Sequence, residues 1–113
     1  MGAGKAIWIT GAGTGIGRAS AVALAAAGHR LVLTGRRAAP LEETAALARA
    51  ARPGADVACM PGDLARRADA EAIVAAILGR HARLDAVVGA AGVNVTPRMW
   101  SELSAAEIGR AHV

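Results

Sequence analysis

Thr10-Gly-Ala-Gly-Thr-Gly-Ile-Gly17 lies between the apolar run Lys5-Ala-Ile-Trp-Ile-Thr10 and the alanine-rich run Arg18-Ala-Ser-Ala-Val-Ala-Leu-Ala-Ala-Ala27. Four glycines in seven residues, after a strand-like segment and before a helix-like one, describe a tight turn whose backbone can approach an anion. The familiar dinucleotide spacing G-x-G-x-x-G fails here, because Gly11 and Gly13 are followed by Ile16 where the third glycine would stand. The stretch fits Thr-Gly-x-x-x-Gly-x-Gly instead, through Thr10, Gly11, Gly15 and Gly17. In this reading Gly11 turns the chain off the strand and Gly15 lets the backbone approach a pyrophosphate. Gly17 then allows the helix to pack closely.

Beyond this turn, apolar runs and helical patterns alternate. Strands are expected at Lys5–Thr10, Arg30–Thr34, Asp56–Met60 and Leu84–Gly89. Helices are expected from Gly15 to Ala27, closed by Gly28, from a first turn that holds Pro40 to about Ala51, and from about Asp69 to His81. Glu42 and Glu43 fall near the start of the second helix, where negative charge is favourable. Ser104-Ala-Ala-Glu107 has the form of a capping box that opens a further helix. Strands that lack polar alternation and are separated by helices imply a parallel sheet covered on both faces. Right-handed crossovers then give an α/β, Rossmann-type doubly wound sheet of four strands in the order 3-2-1-4. The fourth strand is expected at an edge, with Ala86, Val87 and Val88 uncovered.

The chain has 113 residues, enough for one core, and 54% of them are hydrophobic, which excludes a disordered chain. Its net charge of +4 comes from twelve arginines and the single Lys5. That bias, with so much alanine and glycine, is expected of a GC-rich bacterial coding sequence. The arginines are scattered, and the aromatics are only Trp8 and Trp100, so a nucleic-acid partner is not expected. Cys59 is alone in an apolar run and reads as a core thiol, with no metal site implied. His81 and His112 read as surface residues near helix ends. No signal peptide, myristoylation site or apolar run of membrane-spanning length is expected, so the setting reads as cytoplasmic and reduced.

Three nucleotide chemistries compete for the glycine turn. A Walker A loop is rejected, since Gly4-Lys5-Ala6 precedes the strand and lacks the hydroxyl that binds Mg²⁺. A methyltransferase reading can use Gly11, Gly13 and Gly15 but wants an acid at the end of the second strand. No Asp or Glu occurs between Gly17 and Glu42. The same gap bears on nicotinamide cofactors, because an acid at this point would bind the adenosine ribose of NAD. Here the strand runs into Gly35-Arg36-Arg37. Those arginines either grip the 2′-phosphate of NADP or are two solvated residues at a helix entrance. NADP is the preferred cofactor, with NAD left open.

On these motifs the sequence resembles the short-chain dehydrogenase/reductase family over essentially its whole length. Thr10–Gly17 is similar to that family's coenzyme motif, Gly62-Asp63-Leu64 to its adenine-contacting Asp, and Leu84-Asp-Ala-Val-Val-Gly-Ala-Ala-Gly92 to the strand that ends in Asn-Asn-Ala-Gly. The resemblance implies that Gly13, Thr14 and Ile16 join the other glycines around the pyrophosphate. It implies that Asp63 binds the adenine amino group with Leu64 beside the ring, and that Ala90, Ala91 and Gly92 line the adenine–ribose side. Gly89 and Ala90 stand where the family motif has asparagines, and Thr14 where many NADP-using members have a basic residue.

The family transfers hydride between NAD(P) and a carbonyl or alcohol, using a Ser, a Tyr-x-x-x-Lys pair and an Asn. This chain has no tyrosine, and Lys5 is on the first strand. Residues 1–113 are therefore expected to be the N-terminal, cofactor-binding part of such a domain, without catalytic residues of their own. A stand-alone nucleotide-binding or interaction module is the alternative. A full-length member is expected to act on a small carbonyl or alcohol substrate and to be a homo-oligomer, with no membrane or nucleic-acid partner.

Overall fold

The computed structural model describes residues 4–89, which form β1 (Ala6–Thr10), α1 (Gly15–Ala26), β2 (Arg30–Thr34), α2 (Ala38–Ala51), β3 (Val57–Cys59), α3 (Arg67–His81) and β4 (Ala86–Gly89). All strand pairs are parallel and the order is β3-β2-β1-β4, as expected. The proposed capping box at Ser104–Glu107, Trp100 and His112 lie outside the described residues.

Register decides which side chains meet on each face. Ile7 lies beside Leu31 and Ile9 beside Leu33, and this face packs on Ala21 and Ala25 of α1 and on Leu41, Ala45 and Ala48 of α2. Trp8 lies beside Val32 on the opposite face, where Leu64, Ala70, Ile73, Val74 and Ile77 cover them. Period-two alternation thus feeds two cores, and for that reason the strands read as unbroken apolar runs. On α1 the buried residues are Gly17, Ala21 and Ala25, spaced by four, so the helix presents a small-residue stripe that lets it lie close to the sheet. A buried polar chain runs along the ends of three strands. Trp8 Nε1 donates to Thr34 Oγ1 at 2.9 Å, and that hydroxyl donates to the Met60 carbonyl at 3.0 Å. Each polar group thereby gains a partner, which removes the cost of burying it.

Several boundaries shift for identifiable reasons. α1 ends with Gly28 N–H bonded to the Ala25 carbonyl and His29 N–H to the Leu24 carbonyl, a Schellman closure made possible by Gly28 at φ 95. α2 starts at Ala38, so Pro40 is its third residue, within the first turn as expected, where the missing N–H costs nothing. Glu42 and Glu43 consequently lie beyond the first turn, and Glu43 pairs with Arg18 at 3.3 Å. β4 begins at Ala86, after Asp85 turns its carboxylate onto the Ala6 N–H at 2.8 Å. That backbone bond, and the Arg83 guanidinium beside it, hold the Asp85 carboxyl below its ordinary range.

One expectation is corrected. His81 is not a surface residue, being 8% exposed at the last position of α3. It continues the buried stripe Ile73–Val74–Ile77 by one more turn and so enters the packed face. Arg30 Nη1 lies 3.5 Å from its Nδ1, at the limit of a hydrogen bond. Nε2 is buried without a hydrogen-bond partner, and burial lowers the pKa of the ring. Cys59 is a half-buried free thiol packed against the α1/α2 core, and burial raises its pKa.

Candidate functional site

The carboxyl ends of β1, β2 and β3 converge on one edge of the sheet, where ligands of open α/β folds sit. The turn leaving β1 is shaped by glycine at specific points. Gly11 has φ 64 and Gly15 φ 57, values that L side chains adopt only with strain. At Gly15 an added Cβ would meet nothing within 4 Å, so its backbone opens to solvent. At Gly17 it would lie 2.7 Å from the Gly11 carbonyl carbon and 3.0 Å from Ala12 Cα. The close approach predicted for Gly17 is therefore between the helix and the glycine turn itself.

The first helical hydrogen bond of α1 runs from Arg18 N–H to the Thr14 carbonyl. The N–H groups of Gly15, Ile16 and Gly17 accordingly have no acceptor within the helix, and the positive end of its dipole lies with them. Thr14 has extended backbone and its hydroxyl makes no capping bond. Ile16 projects into solvent, 78% exposed.

A polar brace holds this turn from behind. Ala12 N–H donates to the Thr34 carbonyl at 3.1 Å, and the buried Thr44 hydroxyl of α2 donates to the Ala12 carbonyl at 2.8 Å. Thr44 Oγ1 also lies 3.1 Å from the Pro40 carbonyl and receives Arg18 Nε at 2.9 Å. Arg18 Nη2 reaches the Pro40 carbonyl and Glu43. Arg18 is thus committed to structure although it lies next to the turn. Sequence reasoning missed this brace. The available signal was a threonine set among Leu41, Ala45 and Ala48 on the buried stripe of α2.

A cleft of about 240 Å³ lies in front of the turn, lined by Gly11, Gly13, Thr14, Gly35, Arg36, Arg37, Pro40 and Leu41. It joins two features that the sequence separates by some twenty residues, the glycine turn and the arginine pair. Gly13 is small for a reason, because a Cβ there would fall 2.8 Å from Pro40 Cβ. Thr34, the last residue of β2, is buried and bonded to Trp8, so it is not available to the cleft. Gly35 carries no side chain. The first side chains after β2 that can reach the cleft are the exposed cations Arg36 and Arg37.

The loop after β3 is fixed beside them, since Gly62 N–H donates to the Gly35 carbonyl at 2.9 Å. Asp63 follows, with Oδ1 accepting the Ala65 N–H at 3.0 Å and its own N–H donating to Asp69 Oδ2 at 2.9 Å. Arg36 Nε lies 3.8 Å from Asp63 Oδ1. Leu64, also expected at the site, turns its side chain into the Trp8 core and is 7% exposed, so its side chain contributes packing. Ala90, Ala91 and Gly92 lie outside the described residues. Among the described residues no group of three or more acidic, histidine or cysteine side chains could hold a metal ion.

Comparison with known proteins follows the same lines. An uncharacterised oxidoreductase of Mycobacterium tuberculosis is 47% identical over 90 residues, which are 80% of this chain and 32% of that protein. Levodione reductase of Leifsonia aquatica is 35% identical over 103 residues, 91% of this chain and 39% of the relative. The chain thus spans about a third of the length of the curated relatives it matches. Among solved structures, levodione reductase superposes with a TM-score of 0.73 at 36% identity, over 77% of this chain and 34% of that one. A metagenomic short-chain oxidoreductase in complex with NADP gives 0.72 at 27% identity, over 96% and 57%. The short chain dehydrogenase family matches residues 5–111, nearly the whole sequence. With its glycine turn, its 3-2-1-4 parallel sheet and that match, the chain belongs to the short-chain dehydrogenase family.

Proposed function

We propose that this chain forms the adenosine-phosphate end of the cofactor site of an NADP(H)-dependent oxidoreductase, one that moves hydride between the cofactor and a small carbonyl or alcohol substrate. The observation that carries the reading is the single cleft wall in which Gly11, Gly13 and Thr14 meet Gly35, Arg36 and Arg37. The N-terminal N–H groups of α1 suit a pyrophosphate, and the open space beside the left-handed Gly15 leaves room for it. Arg36 and Arg37 suit a further phosphate on the ribose, where an acidic residue would have favoured NAD. Asp63, on the loop tied to the Gly35 carbonyl, suits the adenine amino group. Once bound, the cofactor supplies the hydride at its nicotinamide.

The chain's own residues bind and orient the adenosine half. No tyrosine occurs in the sequence to serve as the acid/base of the reaction. The proposed setting of the protein is the cytoplasm, with Cys59 reduced, and its full assembly a homo-oligomer. Neighbouring structures include one in complex with NADP and an NADH-dependent reductase complexed with NAD, so the choice between the two is what needs testing. Titration of the chain with NADPH and NADH reads it directly. Arg36→Ala is expected to weaken NADPH about tenfold, the scale of one lost charge-assisted phosphate bond, and to spare NADH. Equal losses for both nucleotides would refute the phosphate role of Arg36.

A further inference from the structure

We propose that Asp63 is a selectivity residue that limits this chain's preference for a 2′-phosphorylated cofactor by competing with the phosphate for Arg36. The inference rests on the reading of Arg36 as the phosphate ligand and deepens it. Arg36 Nε already has an anionic neighbour, Asp63 Oδ1 at 3.8 Å. A phosphate that takes the guanidinium must replace that carboxylate or share the cation with it, and a second anion close by is repelled.

Asp63 cannot readily withdraw. Its Oδ1 accepts the Ala65 N–H, and its N–H is held by Asp69 Oδ2 on the first turn of α3. The whole loop is tied to β2's exit through Gly62 N–H and the Gly35 carbonyl. Arg36 is the movable partner, with a side chain 70% exposed. The carboxylate is therefore a fixed competitor and the guanidinium a mobile cation drawn between it and the ligand. An adenine contact by Asp63 would act on phosphorylated and unphosphorylated cofactor alike, whereas competition for Arg36 acts on one of them only. That difference makes the two roles separable.

The test uses adenosine 2′,5′-bisphosphate and adenosine 5′-monophosphate, which differ only by the phosphate in question. Affinities of the 113-residue chain for both are measured by calorimetric titration in the parent, Asp63→Asn, Arg36→Ala and the double variant. Asparagine keeps an oxygen for the Ala65 N–H, and melting curves check that the fold is retained. The expected result is that Asp63→Asn raises the bisphosphate-to-monophosphate affinity ratio about two- to fivefold, the range of an exposed ion pair, and that the rise vanishes in the Arg36→Ala background. An unchanged or lowered ratio in Asp63→Asn, with Arg36→Ala still lowering it, would overturn the competition and leave the phosphate reading standing. An equal rise in the Arg36→Ala background would also overturn it, because the carboxylate would then be acting without Arg36. A ratio indifferent to Arg36→Ala, or no binding of either nucleotide, would bring down the underlying reading itself.

Discussion

Replacing Thr44 with valine tests whether the glycine turn is held by the brace behind it. The side chain is fully buried, and valine matches its shape, so the change amounts to deleting one hydroxyl. That hydroxyl donates 2.8 Å to the Ala12 carbonyl and accepts Arg18 Nε at 2.9 Å. Ala12 is itself fully buried, so its carbonyl would be left without a donor, at about 1–3 kcal/mol. Arg18 is 29% exposed and can turn to water, so losing its bond costs less, about 0.5–1.5 kcal/mol. The extra methyl returns about 0.8 kcal/mol through burial. The net loss is about 2 kcal/mol, a substantial part of the roughly 5–15 kcal/mol that holds a domain together. Urea denaturation followed by far-UV circular dichroism should show this loss at an unchanged m-value, with the melting temperature lower by roughly 8–16 °C. Thr44→Ser keeps the hydroxyl and gives up one methyl, so it should cost only about 1 kcal/mol. A valine variant as stable as the parent, or more stable than the serine variant, would refute the brace.

Two further predictions concern the same turn and the far end of the sheet. Gly15→Ala should cost about 1–2 kcal/mol, because its left-handed φ strains an L residue while its surroundings are open. Gly17→Ala, at ordinary helical φ, should cost more, because its Cβ would press on the backbone of Gly11 and Ala12; comparing the two by denaturation checks the order, and a Gly17 variant that is the milder one refutes it. His81 sets a pH dependence. Burial holds its folded pKa below the unfolded value of about 6.5, so only the unfolded chain takes up a proton as pH first falls below that point. Asp56 favours the charged ring, while Arg30 and Arg80 oppose it. Stability should therefore be full above about pH 6.5 and decline below it, and His81→Leu should flatten that decline; parallel curves for parent and variant would count against it.

Much of this arrangement was legible because its causes are local. β1 and β2 are apolar runs whose both faces are buried, the glycine turn follows the first, and Gly28 closes α1 through its own backbone freedom. What escaped reading depends on which residues share a stripe. His81 sits four residues after Ile77, and Thr44 three after Leu41, so both lie on buried faces despite their polarity. The spacing held the clue, but a polar side chain on an apolar stripe is informative only once its partner is known. Those partners, Arg30 for His81 and Ala12 with Arg18 for Thr44, come from other elements of the chain. Leu64 shows the converse. It directly follows Asp63, which faces Arg36, yet its own side chain packs in the Trp8 core.

Arg36 and Asp63 make the same point about chemistry. Taken singly along the sequence, one is expected to bind a phosphate and the other the adenine, with no reason to interact. The parallel pairing of Leu33 with Cys59 carries both strand ends to one level, and the Gly62–Gly35 backbone bond then sets the two loops side by side. A carboxylate 3.8 Å from Arg36, which lines the cleft, constrains what that guanidinium can bind on the proposed reading. Under the proposed phosphate role of Arg36, cofactor choice is a property of the pair. A rule that counts acids and bases at the end of β2 sees Arg36 and Arg37 alone, and it misses the carboxylate that β3 delivers to them.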